Sequence, residues 1–267
     1  MIKLVTIDLD GTLFDNQKKI SEKNKIAIKK AKELGCNVVI ATGRPLNGVL
    51  PVLKELDLLD DTDYCIIYNG AKIFNVKTKE LVFSSSITGS DVKDLYYEAL
   101  RLNTYLQAFC IDETLITKEH NPYTDVEASL NHIKDELYDF DTICDDDLFL
   151  KFMMVNDEET LNRVIKEINP IFKEKYSMVR SSPIFLEFLN KNTNKGNALV
   201  ALANYLNIPI EDTMAIGDQD NDISMIKAAG FGVCMANGVD EVKCAADFIT
   251  LDNESSGVAY AFEKFIL

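Results

Sequence analysis

The sequence predicts an α/β fold in which a doubly wound parallel sheet is interrupted by an inserted α+β module. Short apolar runs rich in branched residues alternate with helical patterns over 2–68, and this alternation returns over 195–265. Such alternation favours a parallel sheet with right-handed crossovers. Between these stretches, strand-like runs with few helical patterns favour an antiparallel sheet faced by helices. We therefore place the core at 1–82 and 190–267 and the inserted module at 83–189.

Local patterns predict the individual elements. Residues 2–7 form a short branched apolar run, which is typical of a strand buried on both faces. A helix follows over 21–34, where Ser21 can cap the first turn and Gly35 can end the last. The other elements predicted for the core are strands at 37–41, 64–68, 213–217, 232–235 and 248–251, and helices at 45–55, 195–206, 222–229 and 257–265. The elements predicted for the inserted module are strands at 105–111, 115–118, 149–155, 176–181 and 185–189, and helices at 90–102 and 158–168.

The composition excludes several classes of partner. The chain has 267 residues, 47% of them hydrophobic, and a formal net charge of −15. Nucleic acids and anionic membrane surfaces both attract Lys and Arg, so neither is expected as a partner. No stretch reaches the roughly 18 apolar residues of a membrane span, and the first apolar run is too short for a signal peptide. We therefore expect a cytoplasmic monomer or homodimer, for which a small phosphorylated substrate remains open because local donors and a metal can override the overall charge.

The six cysteines predict neither a disulfide scaffold nor a zinc site. They are scattered without a C-x-x-C pair, and the chain has two histidines, His120 and His132. Structural zinc sites need closely spaced Cys and His ligands. Buried free thiols in a reducing compartment are the expected state.

Asp8 and Asp10 directly follow the first predicted strand. Sites in open α/β sheets form beyond the carboxyl ends of strands, and residues two apart in an extended segment share a side. Two adjacent carboxylates do not readily ionise together unless a cation intervenes or one keeps its proton. This predicts two roles, one carboxylate that binds metal and attacks and another that moves a proton. Gly11 allows a sharp turn and brings the backbone close to a ligand. Taken alone, the pair is equally well explained as a turn cap.

Groups that suit a phosphate occur at two later points. Thr42 and Gly43 offer a hydroxyl and an amide at the end of the second predicted strand, and Arg44 adds a cation with bidentate geometry. Lys195 stands at the start of a predicted helix, where anions are favoured. Each signal is weak alone, because an exposed turn arginine or a solvated loop lysine explains it as well or better.

A second acidic cluster, residues 217–222, lies between a predicted strand and a predicted helix. Mg²⁺ prefers oxygen ligands and usually takes a few carboxylates with waters and a phosphate. Asp218, nearest the strand end, is the best third acid, and Asp222 is better placed to hold a metal-bound water. Asn221 can donate to a phosphate without adding charge. A calcium loop is excluded because its sixth position is Ile223, where glycine is needed.

In this order, the motifs resemble the haloacid dehalogenase-like superfamily. Within it they look like the Cof-type phosphatases, which carry a large cap between the second and third motifs. The resemblance covers the whole chain and implies a Rossmann-like core with the inserted module as the cap. The residues that carry it are Asp8-Leu9-Asp10-Gly11-Thr12-Leu13, Thr42-Gly43-Arg44-Pro45, Asn69-Gly70-Ala71, Lys195-Gly196, Gly217-Asp218 and Asn221-Asp222.

The resemblance implies a role for each motif. Asp8 would be the nucleophile and a Mg²⁺ ligand. Asp10 would be the general acid and base and would bind the metal through its backbone carbonyl. Asp218 would complete the metal site, with Asp222 in support. The groups expected to hold the phosphoryl group are Gly11, Thr42, Gly43, Arg44, Lys195 and Asn221.

The expected function is Mg²⁺-dependent hydrolysis of a small phosphorylated metabolite, a sugar phosphate or a phosphorylated cofactor, through an aspartyl phosphate. An acid at Asp10 favours hydrolysis because it supplies a proton donor and a water activator. Two alternatives remain at this point: a phosphomutase of the same superfamily, and a non-catalytic module that binds a phosphorylated metabolite. The intact aspartate pair counts against the binding module, because binding alone needs neither a nucleophile nor a proton shuttle.

Overall fold

A computed structural model of the chain describes residues 1–131 and 133–267, so His132 lies outside the described residues. The chain divides into two compact units. The core unit comprises Met1–Ser84 and Asn194–Leu267, and the inserted unit comprises Ser85–Thr193.

Strands and helices are numbered along the described residues. The strands are β1 (Leu4–Ile7), β2 (Asn37–Ala41), β3 (Tyr64–Ile67), β4 (Lys72–Asn75), β5 (Leu81–Ser84), β6 (Ile87–Thr88), β7 (Tyr105–Cys110), β8 (Leu115–Thr117), β9 (Asp135–Leu137), β10 (Leu148–Val155), β11 (Tyr176–Ser182), β12 (Phe185–Asn190), β13 (Thr213–Gly217), β14 (Phe231–Cys234) and β15 (Phe248–Ile249). The α-helices are α1 (Glu22–Glu33), α2 (Leu46–Glu55), α3 (Gly89–Arg101), α4 (Pro122–Asn131), α5 (Glu158–Glu167), α6 (Pro170–Lys175), α7 (Lys195–Tyr205), α8 (Ile223–Ala228), α9 (Asp240–Ala245) and α10 (Gly257–Phe265).

The core unit is built on an eight-stranded sheet in the order β15-β14-β13-β1-β2-β3-β4-β5. Neighbouring strands are parallel from β15 to β3, and β4 and β5 extend the sheet as an antiparallel edge. The chain runs outward from β1 through β2 and β3 in one direction and through β13 to β15 in the other, which confirms the predicted doubly wound sheet. Ligand sites in such sheets form beyond the carboxyl ends of the strands where the order reverses, here beside β1.

The local sequence explains the central elements of this sheet. All four residues of β1 are buried, as expected for a branched apolar strand covered on both faces. Leu4 on β1 and Ala215 on β13 belong to the hydrophobic cluster that α7 and α8 complete. The helix α1 begins after Ser21, whose hydroxyl accepts the amide of Asn24 over 3.2 Å.

The inserted unit is built on a second sheet, in the order β11-β12-β10-β7-β8-β9, with β6 beside β10. All pairs are antiparallel except β8 with β9. Alternate residues such as Phe152 and Phe188 form one hydrophobic core with side chains of α3 and α5. The inserted unit is therefore an antiparallel sheet faced by helices, as the sequence predicts.

Seven strands and α-helices of the described chain are missing from the predicted set: β4, β5, β6, β9, α4, α6 and α9. The hairpin β4–β5 extends the core sheet where the sequence analysis predicts no element. The helix α4 buries Thr124 and Glu127 instead of an apolar stripe, so hydrophobic periodicity does not reveal it. Within the described ranges, no helix combines the length and the apolar character needed to cross a membrane.

Candidate active site

The site lies at the carboxyl ends of the central strands of the core unit. Asp8 directly follows β1, its amide donates to the Ile216 carbonyl over 2.9 Å, and its side chain is buried. Asp218 directly follows the neighbouring strand β13 and is also buried. Because parallel strands end at one edge of a sheet, two acids 210 positions apart in the sequence become neighbours.

Lys195 joins the acids at this edge. It is the first residue of α7, its side chain is fully buried, and its Nζ lies 2.5 Å from Oδ1 of Asp8 and 2.7 Å from Oδ1 of Asp222. The helix start is held by Asn194, whose side chain accepts the amide of Asn197 over 2.8 Å. The loop lysine whose sequence context favoured a solvated residue is therefore a buried ammonium between two carboxylates.

Burial and charge shift the protonation of this group. Burial together with the Asp222 carboxylate raises the pKa of Asp8 to about 8, although Lys195 opposes the rise. Burial alone would lower the pKa of Lys195, but the carboxylates of Asp222 and Asp8 outweigh burial and raise it. Lys195 therefore stays charged at neutral pH, and a further cation would favour the ionised form of Asp8.

Asp218 is tied to the loop that follows Asp8. The hydroxyl of Thr12 donates to Oδ1 of Asp218 over 2.7 Å, and the side-chain amide of Gln219 donates to Oδ2 over 3.2 Å. Burial raises the pKa of Asp218, the hydrogen bond from Thr12 opposes the rise, and Asp222 adds to it. Gly11 has a φ of +88°, and a Cβ at that residue would lie 2.4 Å from Oδ2 of Asp218. This close approach explains the glycine.

Asp222 is bonded through both carboxylate oxygens. Its Oδ1 accepts Lys195, and its Oδ2 accepts the amides of Asp218 and Gln219 over 2.9 and 3.1 Å. Three carboxylate oxygens lie within 4.8 Å of one another, one each from Asp8, Asp218 and Asp222. Buried carboxylate oxygens at this spacing fit a hard divalent cation that prefers oxygen ligands. Protein donors reach all three carboxylates, and Asp222 accepts three of them, one being the Lys195 ammonium.

The side chain of Asp10 lies in a separate ion cluster. Arg44 donates from Nε to Oδ2 over 2.9 Å and from a terminal nitrogen to Oδ1 over 2.7 Å, and Lys18 donates to Oδ1 over 2.6 Å. The Arg44 guanidinium also lies 5.3 Å from the ring centroid of Phe14. Burial alone would raise the pKa of Asp10, but the hydrogen bonds and charges of Arg44 and Lys18 outweigh burial and hold it below its usual range.

The other residues expected to hold phosphate line the neighbouring loops. Thr42 is buried, and its hydroxyl accepts the Arg44 amide over 3.2 Å. Asn221 donates to the side chain of Asn69 over 3.1 Å, and Asn69 in turn lies against Gly43. The structure thus links Asn221 and Gly43 through Asn69.

Several contacts around the site were not predicted. They belong to Thr12, Lys18, Asn69 and Gln219. Thr12 and Asn69 lie within motifs that carry the family resemblance, so the sequence could have identified them as site residues. Gln219 lies within the acidic cluster 217–222, whereas Lys18 carries no local signal that separates it from a solvated lysine.

Known proteins resemble this chain over nearly its whole length. A family model described as haloacid dehalogenase-like hydrolase matches residues 5–262. "Putative phosphatase YxeH" of Bacillus subtilis is 39% identical over 269 residues, covering 100% of this chain and 99% of that protein. The protein named 5-amino-6-(5-phospho-D-ribitylamino)uracil phosphatase YcsE, also of Bacillus subtilis, is 32% identical, covering 100% of this chain and 96% of its own length.

A solved structure shows the same fold. The crystal structure of a haloacid dehalogenase-like hydrolase from Bacteroides thetaiotaomicron matches with a TM-score of 0.86 and 34% identity, covering 99% of both chains. The resemblance expected from the ordered motifs is therefore confirmed. The chain belongs to the haloacid dehalogenase-like hydrolases.

Proposed function

We propose that the protein is a Mg²⁺-dependent phosphatase that removes the phosphoryl group of a small metabolite through an aspartyl phosphate on Asp8. The observation that carries the proposal is the buried contact of Asp8 with Lys195 beside the carboxylates of Asp218 and Asp222. A buried nucleophile next to a fixed ammonium and a cation-binding acid is the arrangement that transfer of a charged phosphoryl group requires.

Asp8 and Asp218 would hold Mg²⁺, which when bound neutralises charge on the phosphoryl oxygens. Asp222 keeps Lys195 and the amides of Asp218 and Gln219 in place. In the first step, Asp8 attacks phosphorus in line, the bond to the leaving oxygen breaks, and Asp10 gives that oxygen a proton. Lys195 balances the charge spread over the equatorial oxygens, with the hydroxyl of Thr42 and the side chain of Asn221 as further donors.

In the second step, Asp10 takes a proton from water, and the water oxygen attacks phosphorus. The bond between phosphorus and the Asp8 oxygen breaks, which releases inorganic phosphate and restores the Asp8 carboxylate. The ion cluster with Arg44 and Lys18 suits this step because it keeps Asp10 ionised. To donate a proton in the first step, Asp10 must first take one up from solvent, which requires at least one of these contacts to open so that its pKa rises. Arg44, released from Asp10, then becomes a donor for the phosphoryl group.

The experiment is Asp8→Asn with a matched control. A phosphoryl group made chiral with oxygen isotopes distinguishes the proposed route, because two in-line displacements through an aspartyl phosphate retain the configuration at phosphorus, whereas one direct attack by water inverts it. We expect Asp8→Asn to release no phosphate while its fold is retained. Asp61→Asn, which changes an exposed acid, should keep full activity. Normal phosphate release by Asp8→Asn would contradict the mechanism.

For the substrate, we propose a phosphorylated sugar, sugar alcohol or cofactor. The relative YcsE supports this class, because its name specifies a phosphoribityl compound. A screen of phosphorylated metabolites with and without Mg²⁺ tests it, with free phosphate as the readout. Conversion of a hexose 1-phosphate to an isomer without free phosphate would instead indicate a phosphomutase. Absence of turnover with every phosphomonoester would indicate a binding module.

A further inference from the structure

A side-chain amide from a distant loop holds the segment that carries the nucleophile. The segment 8–14, which we call the nucleophile loop, follows β1, and the segment 235–239, which we call the bracing loop, follows β14. Asn237 of the bracing loop donates from Nδ2 to the Gly11 carbonyl over 2.8 Å, and its Oδ1 accepts the Asn253 amide over 3.0 Å. The Asn237 side chain is therefore fixed at both ends.

The bracing loop also holds the segment that carries Asp218. The Met235 amide donates to the Gly217 carbonyl and the Val239 amide to the Asp218 carbonyl, both over 3.0 Å. Gly238 permits this approach, because a Cβ there would lie 3.1 Å from the Asp218 carbonyl oxygen and 2.6 Å from the sulfur of Cys234. One short loop therefore sets the positions of both acids proposed to hold the metal.

A second asparagine completes the brace. Asn253 is buried, and its Nδ2 donates to the Phe14 carbonyl over 2.9 Å. Its backbone amide is the group that Asn237 accepts. Two carbonyls of the nucleophile loop, those of Gly11 and Phe14, are thus held by side-chain amides that lie more than 220 residues away in the sequence.

The bond to Gly11 has a consequence for the neighbouring amide. The Gly11 carbonyl and the Thr12 amide belong to one planar trans peptide and point in opposite directions. Holding the carbonyl therefore sets the direction of the Thr12 amide. Among residues 1–131 and 133–267, the Thr12 amide donates to no protein group, whereas the parallel bridge between Asp10 and Phe14 engages the Gly11 amide. The Thr12 amide is available to an anion next to Asp8.

From these contacts we infer that Asn237 is a positioning residue for phosphoryl transfer. It keeps the nucleophile loop in the shape in which Asp8 and the Thr12 amide meet the phosphoryl group. The inference rests on the proposed function for its kinetic consequence. The brace itself is a property of the chain without substrate.

The test compares Asn237→Ala with Asn237→Asp. Aspartate keeps the size of the side chain and the acceptor for Asn253, but it has no N–H for the Gly11 carbonyl. We expect kcat to fall about 10- to 100-fold in both variants, because small displacements of reacting groups cost this much. KM should change by less than about twofold, since substrate binding is shared with groups outside the loop. Asn204→Ala, at an exposed asparagine of α7, serves as the control.

Hydrogen exchange over 8–16 gives a readout that needs no turnover. We expect faster exchange there in both Asn237 variants, with the melting temperature close to that of the unaltered chain. Unchanged kcat and unchanged exchange would overturn the inference. If kcat falls only in proportion to a fall in melting temperature, the inference is also overturned, because Asn237 would then act on stability alone. If the unaltered chain hydrolyses no phosphomonoester, the proposed function fails, and the exchange measurement still decides whether Asn237 braces the loop.

Discussion

Each unit of the protein buries a lysine between two carboxylates, and the two clusters differ in their geometry. In the core unit, Lys195 lies 2.5 Å from Asp8 and 2.7 Å from Asp222. In the inserted unit, Lys151 lies 3.2 Å from Glu187, and a second glutamate lies 3.5 Å away. Burial alone would lower the pKa of each lysine, but in both clusters the neighbouring carboxylates outweigh it and raise the pKa.

The clusters also differ in their place along the strands. Lys151 lies within β10, directly opposite Phe109 on β7, and its ammonium lies 4.9 Å from the Phe109 ring centroid. Backbone groups inside a sheet are used by the strand ladder, so side chains must balance the charge there. Asp8 and Asp218 follow strand ends, where loop amides and a third acid are also at hand. Position along the strand therefore separates a cluster that suits a metal and an anion from one that balances charge within the protein.

The largest difference between the clusters should appear when Lys195 is replaced. We expect Lys195→Met to lower kcat at least about 100-fold, because the phosphoryl group loses a preorganised cation. Phosphate release at saturating substrate measures the effect. Lys191→Met, at an exposed lysine just before α7, should leave kcat unchanged. Near-normal turnover by Lys195→Met would remove this lysine from the proposed mechanism.

Replacing Lys151 should affect stability instead. We expect Lys151→Met to lower the free energy of unfolding of the inserted unit by about 3–5 kcal/mol, because Glu127 and Glu187 are left buried without their cation. Urea titration followed by hydrogen exchange of β10 measures the change. Adding Glu127→Gln and Glu187→Gln should recover much of the loss, since no unpaired charge then remains. Unaltered stability of Lys151→Met would show that the cluster contributes nothing to folding.

Both clusters should contribute to a pH dependence of stability, because burial raises the pKa of Asp8 in one and of Glu127 in the other, and replacing Asp8 isolates the core contribution. The pKa of Asp8 is raised to about 8, so over the range from about 4 to 8 the folded chain keeps a proton that the unfolded chain has lost. The free energy of unfolding of the metal-free protein should therefore fall as pH rises through this range. Melting temperatures in a chelator from pH 5 to 8.5 test this, and Asp8→Asn should flatten the profile. Added Mg²⁺ should raise the melting temperature more at pH 8 than at pH 5, because it binds ionised carboxylates. If the melting temperature of Asp8→Asn changes with pH as steeply as that of the unaltered chain, the pH dependence belongs to other groups.

The smallest expected effects concern one hydroxyl in each cluster. Ser181 donates to Glu187 over 2.6 Å, and Thr12 donates to Asp218 over 2.7 Å. Ser181→Ala and Thr12→Val should each cost about 0.5–1.5 kcal/mol of stability, the usual range for one hydrogen bond. Only Thr12→Val should also weaken Mg²⁺ binding, measured by titration calorimetry, because Asp218 loses the group that orients it. Equal Mg²⁺ affinity in the unaltered chain, Ser181→Ala and Thr12→Val would show that Thr12 does not orient the Asp218 carboxylate.

The strands and helices of the core could be predicted because their signals are local. Branched apolar runs predicted β1 and β2, and a serine before a helical pattern predicted the start of α1. The helix α4 could not be predicted this way, because its buried face carries Thr124 and Glu127. That face becomes favourable only when partners such as Gln107 and Lys151 are brought against it by the sheet.

The sequence by itself determined the fold class and the family, because the alternation of strands and helices and the order of the motifs are properties of the chain. It also identified Asp8, Asp218 and Lys195 as candidates, but it did not distinguish the last from a solvated lysine. Only the tertiary structure decided which charges meet: Lys195 with Asp8 and Asp222, and Arg44 with the Asp10 side chain. The physical reason is that parallel strands carry distant segments to one buried edge, where the energy of a charge depends on its neighbours in space rather than in sequence.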